Sequence, residues 1–182
     1  MKKKIEKLLL STNRDGMDNL LSWMKKNNFY TSPCSTSHHL SKPEGLAEHS
    51  LNVLDVCLKV AEQFAPDIPK ESIIICSLLH DLGKAGDRGK AWYVPNLLKN
   101  GKPSEAKPYE TNKELYPIGH DVRSVCIAER FIELTEEEEL AILWHNGLYG
   151  DFKYQISGKE TPLYMLLHFA DMWASRVIEK ES

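Results

Sequence analysis

The sequence predicts an all-α fold, a helical bundle interrupted by one basic, irregular insertion. Apolar residues recur at helical spacing along most of the chain. Two helix-start signals, Thr135 followed by Glu138 and Thr161 before Pro162, stand ahead of apolar runs. One segment, around Ile73, Ile74, Ile75, Leu78 and Leu79, is apolar nearly all round and reads as a central helix.

Taken in order, residues 2–11 and 16–28 predict two short amphipathic helices. A longer helix runs from Leu46 to Phe64, with Leu46, Val53, Val56, Cys57 and Val60 on its apolar stripe. Glu48, Asn52, Asp55, Lys59 and Glu62 form the opposite face, and His49 falls within the stripe. The central helix covers 70–82, and another spans Gly119 to Ile132. The capping box at Thr135 opens a helix ending at His145-Asn146-Gly147, and Thr161-Pro162 opens the last, to about Ile178.

Residues 84–118 differ. They are rich in Gly, Pro, Lys and Asn, and carry seven Lys/Arg against four Asp/Glu, a local +3 within a chain of net −3. Asn100-Gly101 predicts a tight turn in a small β-hairpin with strands near 91–98 and 106–111. An insertion of this length in a compact domain is functional or disordered. With no repeat and no internal boundary, one domain over 1–182 is expected: N-terminal helices in 1–30, a core over 38–178 and an insertion at 85–118.

Hydrophobic content of 42% and charged content of 27% suit a globular protein with a substantial core. The net charge does not favour broad electrostatic binding to nucleic acid or membrane. After Met1-Lys2-Lys3-Lys4 the apolar stretch is only Leu8-Leu9-Leu10, too short for a signal-peptide core. Nothing approaches the roughly 18 apolar residues that span a bilayer. The four cysteines form no CxxC pair, and Cys57, Cys76 and Cys126 fall on apolar helical faces as small hydrophobes. A soluble, cytoplasmic protein is expected.

The most informative feature is His80-Asp81, which closes the apolar central helix. A carboxylate beside an imidazole at such a place is expensive unless a positive partner meets it, and a divalent metal is the simplest one. His49, His120, His145 and Asp171 supply further candidate ligands from other helices, as in metal sites built inside bundles. Imidazole and carboxylate without thiolate suit Mn, Fe, Ni, Co, Zn or Mg. Six ligands exceed what one ion needs, so one or two ions are expected. Singly, each has an ordinary reading: His49 a core histidine, Asp171 a partner of Arg176 or Arg123, His145 a charge at a helix C-terminus. His168 reads as core or as support for a ligand. Together they favour metal.

The ordered set His49, His80-Asp81 and Asp171 resembles the signature of the HD superfamily of metal-dependent phosphohydrolases. Gly45-Leu46-Ala47-Glu48-His49-Ser50 is similar to its first-histidine helix, and Leu79-His80-Asp81-Leu82-Gly83-Lys84 to its HDxGK form. The resemblance implies an all-α HD-domain bundle, with His49, His80, Asp81 and Asp171 holding a first ion. His120 and His145 match the extra histidines of two-metal members and would hold a second, Asp81 bridging. The stretch from Ser37-His38-His39 to His49 resembles HD-type 3′–5′ exoribonucleases, but 182 residues leave no room for their N-terminal barrel. The Gly-Tyr-Pro motif of cyclic-dinucleotide phosphodiesterases is absent, Gly147-Leu148-Tyr149-Gly150 standing in its place.

The implied activity is hydrolysis of a small, nucleotide-like phosphate ester by a metal-activated water. Asp81 would orient the ions and accept the water's proton, and Lys84 would contact a phosphoryl oxygen. Arg88 and Lys90 read as a solvated loop more than as anion binders, and Trp92 and Tyr93 as anchors more than as a base-stacking platform. His38 and His39 are candidates for the mouth of the site. The alternatives are a mixed-valent di-iron oxygenase of the same superfamily, which shares His-Asp-Leu-Gly-Lys and Gly-His-Asp segments, and a non-catalytic ligand-binding module.

Overall fold

A computed structural model describes residues 1–180. Its helices are α1 (Lys2–Leu10), α2 (Met17–Lys26), α3 (Gly45–Phe64), α4 (Lys70–Leu79), α5 (His120–Ala128), α6 (Glu136–Trp144), α7 (Lys153–Ile156) and α8 (Pro162–Trp173). Helix α3 packs on α4 and α8, α6 packs on α5 and α8, and α4 lies against α1, α6 and α8. The apolar residues that predict a central helix are buried throughout α4, where Ile73, Ile74, Ile75, Leu78 and Leu79 form the middle of the core. The all-α expectation holds, with one short hairpin. Among the described residues, no helix is long and apolar enough to cross a membrane.

Both helix-start signals act as expected. Thr135 accepts from the Glu138 amide while Glu138 reaches back to the Thr135 amide, and Thr161 accepts from the Tyr164 amide. The central helix is shorter than expected, stopping at Leu79. His80 still donates its amide to Cys76, but Asp81 adopts φ −102°, ψ 15° and a 3₁₀ turn follows over Leu82–Ala85. Gly83 permits the close approach to α5 that accompanies the break. Its amide donates to Ser124 Oγ at 2.8 Å, and a Cβ there would lie 2.3 Å from the His120 carbonyl oxygen. The chain leaves helical geometry to touch α5. At its other end, α8 runs into a π turn over Ala174–Ile178, closed by the Glu179 amide on the Ala174 carbonyl at 2.9 Å.

The hairpin is narrower than expected: β1 (Tyr93–Pro95) pairs antiparallel with β2 (Tyr109–Thr111), Val94 opposite Glu110. The turn at Asn100-Gly101 forms, with the Gly101 amide on the Leu98 carbonyl at 2.8 Å. Tertiary contacts fasten the insertion. Arg130 grips Asp87 through two hydrogen bonds of 2.9 and 2.8 Å, the Arg123 guanidinium lies over Trp92, and the Tyr93 hydroxyl donates to the Cys34 carbonyl. Trp92 and Tyr93 are thus anchors, while Arg88 is exposed and Lys90 pairs with Glu114. One expectation fails: Cys126 is exposed, because the face of α5 carrying it is turned to solvent, whereas Cys34, Cys57 and Cys76 are buried.

The N-terminal helices are tied down by α1 against α4 and by Arg14. Its guanidinium spans Glu138 with two bonds of 3.0 and 2.8 Å. Burial alone would raise the Glu138 carboxyl; the Arg14 hydrogen bonds overcome it and hold it below its ordinary 4.5. Arg14→Ala is expected to lower stability by about 2–4 kcal/mol, since it strands a buried carboxylate. Because the folded pKa is depressed, the pair's contribution is complete above 4.5 and is lost as pH falls through the folded value. Urea unfolding at pH 7 and pH 3 tests this: the gap between wild type and variant is full at the first and narrows at the second.

Candidate metal centre

Five helix ends converge on one buried point. His49 lies in the second turn of α3, His80 and Asp81 just past α4, His120 at the first position of α5, His145 just past α6, and Asp171 near the end of α8. The structure brings all six together. His49 Nε2 is 3.2 Å from His80 Nε2, 3.1 Å from Asp171 Oδ1 and 3.7 Å from Asp81 Oδ2. On the other side of Asp81, Oδ1 is 3.3 Å from His120 Nε2 and 3.5 Å from His145 Nε2, and those two nitrogens are 3.3 Å apart. Each oxygen of Asp81 therefore faces its own group of donors.

The supporting hydrogen bonds reveal what this arrangement requires. His80 Nδ1 sits 3.0 Å from the Ser77 carbonyl, His145 Nδ1 2.7 Å from the Ile142 carbonyl, and His49 Nδ1 3.1 Å from both Glu179 oxygens. A carbonyl or carboxylate oxygen can only accept, so the proton of each neutral ring belongs on Nδ1. The bare Nε2 lone pairs then point at one another and at carboxylate oxygens inside the cluster. Asp81 Oδ1 is buried and receives no hydrogen bond. Inward lone pairs and an orphaned anionic oxygen fit divalent cations, and imidazole–carboxylate donors suit first-row metals.

Electrostatics within the cluster follow from the same crowding. Burial pushes His80 down to about 4 and His120 down to about 3, so both rings are neutral and available as donors at physiological pH. Burial opposes charge on His49 too, but the flanking Asp171 and Glu179 carboxylates outweigh it and raise that ring above its ordinary value. Asp81 resists its own burial and stays ionised because Lys84 and the surrounding histidines hold it well below the usual carboxylate range. The Lys84 ammonium is 2.7 Å from Asp81 Oδ2. It borders the cavity beside the cluster, so the break in α4 that creates the 3₁₀ turn also aims this lysine at the site.

Two ordinary readings fall away here. Asp171 meets His49 and neither Arg176 nor Arg123, and His145 turns its ring into the cluster, away from solvent. His168 is support: its Nδ1 is 2.7 Å from the His145 carbonyl. His39 lies beside the mouth, 3.4 Å from Cys34 Sγ, and burial lowers it to about 4. Sequence reading missed Glu179, which grips His49 from behind and is itself held by Asn52 Nδ2 at 2.9 Å. Its setting, Ile178-Glu179-Lys180, looks like a charged helix end, and only the π turn carries it inward. Asn52, on the polar face of α3, offered no signal of its own.

Access is one-sided. His49, His80, Asp81 and His145 are sealed, while the side chains of His120 and Asp171 stay 22% and 20% exposed. A cavity of about 160 Å³ opens beside Asp171, lined by His39, Lys84, Asn146, Tyr149 and Arg176 among others.

A family model described as HD domain matches residues 46–165. No curated protein and no solved structure matches the chain.

Gly147 connects α6 to the turn over Gly147–Tyr149 with φ +56°, and a Cβ there would fall 2.3 Å from the His168 ring. Gly147→Ala is expected to cost about 1–3 kcal/mol through backbone strain and displacement of His168. Guanidinium unfolding of the variant measures the loss. A value within 0.5 kcal/mol of wild type, the range of ordinary surface changes, would contradict this account.

Proposed function

The chain belongs to the HD-domain family, and from that premise we propose that it is a metal-dependent phosphohydrolase acting on a small, nucleotide-like phosphate ester. One or two divalent ions would be held by His49, His80, Asp81, His120, His145 and Asp171. The observation that carries this reading is the pair of donor groups facing the two oxygens of Asp81, with Oδ1 lacking any hydrogen donor. Proteins with HD domains bind divalent metals and are generally hydrolases, and the buried histidines and carboxylates can hold such an ion.

Bound there, divalent ions supply Lewis acidity toward phosphate oxygens and make a nearby water more acidic. The chain's own groups do the rest. Asp81, kept ionised, is the shared anion that aligns both groups of donors. Glu179 and the Ser77 and Ile142 carbonyls fix the tautomer and orientation of His49, His80 and His145. Lys84 balances the charge of Asp81 and places a fixed ammonium at the cavity wall, where an entering phosphoryl oxygen would meet it. The sealed side of the cluster keeps bulk water from weakening these interactions.

Metal content by plasma mass spectrometry, on protein purified without a metal-affinity tag, is paired with phosphate release from mono- and diesters. Divalent metal with phosphate release is expected, and Asp81→Asn should lose both. Two irons, consumption of dioxygen and no phosphate release would replace this reading with the oxygenase. Glu179→Gln, which keeps the shape but not the charge, is expected to weaken metal binding about 10–100-fold while leaving the fold intact. Chelator competition titrations measure that change.

A further inference from the structure

The cavity at the cluster is too small to hold a nucleotide. Its volume is about 160 Å³, below the roughly 300 Å³ at which pockets for small molecules begin. It does not end there. His39, Ser175 and Arg176 also line a hollow of about 690 Å³, whose far wall is Ser37, His38 and Lys180. The two form one groove, with the candidate chemistry at its narrow end.

The charge along this groove is arranged for an extended anion. Among the described residues two carboxylates border it, Asp171 and Glu179, and both are turned to His49 at 3.1 Å. The cations are Lys84 at the narrow end and Arg176 and Lys180 beyond. Among the described residues, Arg176 has no carboxylate partner; its guanidinium lies 5.1 Å from the centre of the Tyr149 ring, and Tyr149 is itself largely exposed. An arginine braced on an aromatic face keeps its planar donors free and loses little freedom on meeting a phosphate.

The π turn positions this group. Over Ala174–Ile178 the chain makes one wider turn, which sends Glu179 back to His49 and leaves Arg176 at the junction of the two hollows. π turns recur at functional sites, and here one device serves the cluster and the groove together.

We propose that this groove is a subsite for a second phosphate and that the substrate is a dinucleotide carrying a terminal phosphate. The linking phosphate sits at the cluster beside Lys84. The terminal phosphate sits between Arg176 and Lys180, and Tyr149 offers an exposed ring to the intervening base. The inference rests on the phosphohydrolase reading above, and it separates a dinucleotide from a mononucleotide substrate.

Calorimetric titration of the protein as purified would use a phosphorothioate-linked dinucleotide, with and without a 5′-phosphate. The phosphorylated ligand is expected to bind at least about tenfold more tightly, as one charge-assisted contact supplies. Arg176→Gln should remove most of that preference, and Lys180→Gln a smaller part. Equal affinity of the two ligands for wild type, or an undiminished preference in Arg176→Gln, overturns the subsite. Hydrolysis of bis(p-nitrophenyl) phosphate, which has no second phosphate, is followed on the wild-type sample. If that hydrolysis is absent while the binding preference stands, the phosphohydrolase reading fails and the second-phosphate subsite survives.

Discussion

Everything about this protein turns on a concentration of lone pairs in its interior. His49, His80, His120 and His145 bring their Nε2 atoms to a place where Asp81 and Asp171 bring carboxylate oxygens, at separations of 3.1–3.7 Å. Bare imidazole nitrogens and ionised carboxylate oxygens repel at those distances unless a proton or a metal ion lies between them. The carboxylates accordingly raise His49 and His145, while burial keeps His80 and His120 neutral. Such an arrangement is expensive to bury and is sustained by the packing of five helix ends around it. The Lys84 ammonium meets part of the demand on one face of Asp81. The opposite face, at Oδ1, is left without a donor.

The backbone departs from regular helix at the points where the cluster needs a side chain re-aimed. Helix α4 gives way to a 3₁₀ turn after Asp81, which lets Gly83 touch α5 and turns Lys84 to the cavity. Past α6, Gly147 takes a left-handed conformation under the His168 ring, and His168 steadies the His145 carbonyl. Past α8, the π turn brings Glu179 behind His49. Each irregularity has a local cost in backbone geometry that the contacts at the site offset.

Outside the cluster, long-range ion pairs decide how the peripheral segments sit. Arg14 reaches Glu138 across the sequence and fixes the two N-terminal helices on the bundle. Arg130 and Arg123 hold the insertion at Asp87 and Trp92, close enough to α5 that the Trp92 ring neighbours His120. The insertion's excess positive charge is mostly solvated. The positive wall that matters to the groove comes from Lys84, Arg176 and Lys180, on turns belonging to the helical core.

The sequence by itself determined the helical class, the helix caps at Thr135 and Thr161, the central position of α4 and the six His and Asp residues that the fold gathers at one point. These are local or periodic properties: helix spacing, cap chemistry, and the improbability of His and Asp inside apolar runs. It also showed that a hairpin interrupts the bundle, because Asn-Gly turns are specified by two residues. The tertiary structure decided which oxygen of Asp81 faces which histidines, where α4 stops, and that Asp171 meets His49 and no arginine. It alone revealed Glu179, since a glutamate in a charged helix end becomes buried only when a π turn adds a residue to the winding. It alone turned Cys126 outward and left Arg176 over Tyr149 at the junction of two cavities. The physical reason is common to these cases: side-chain direction at a helix end depends on how the next turn is wound, and that is set by contacts between segments far apart in the chain.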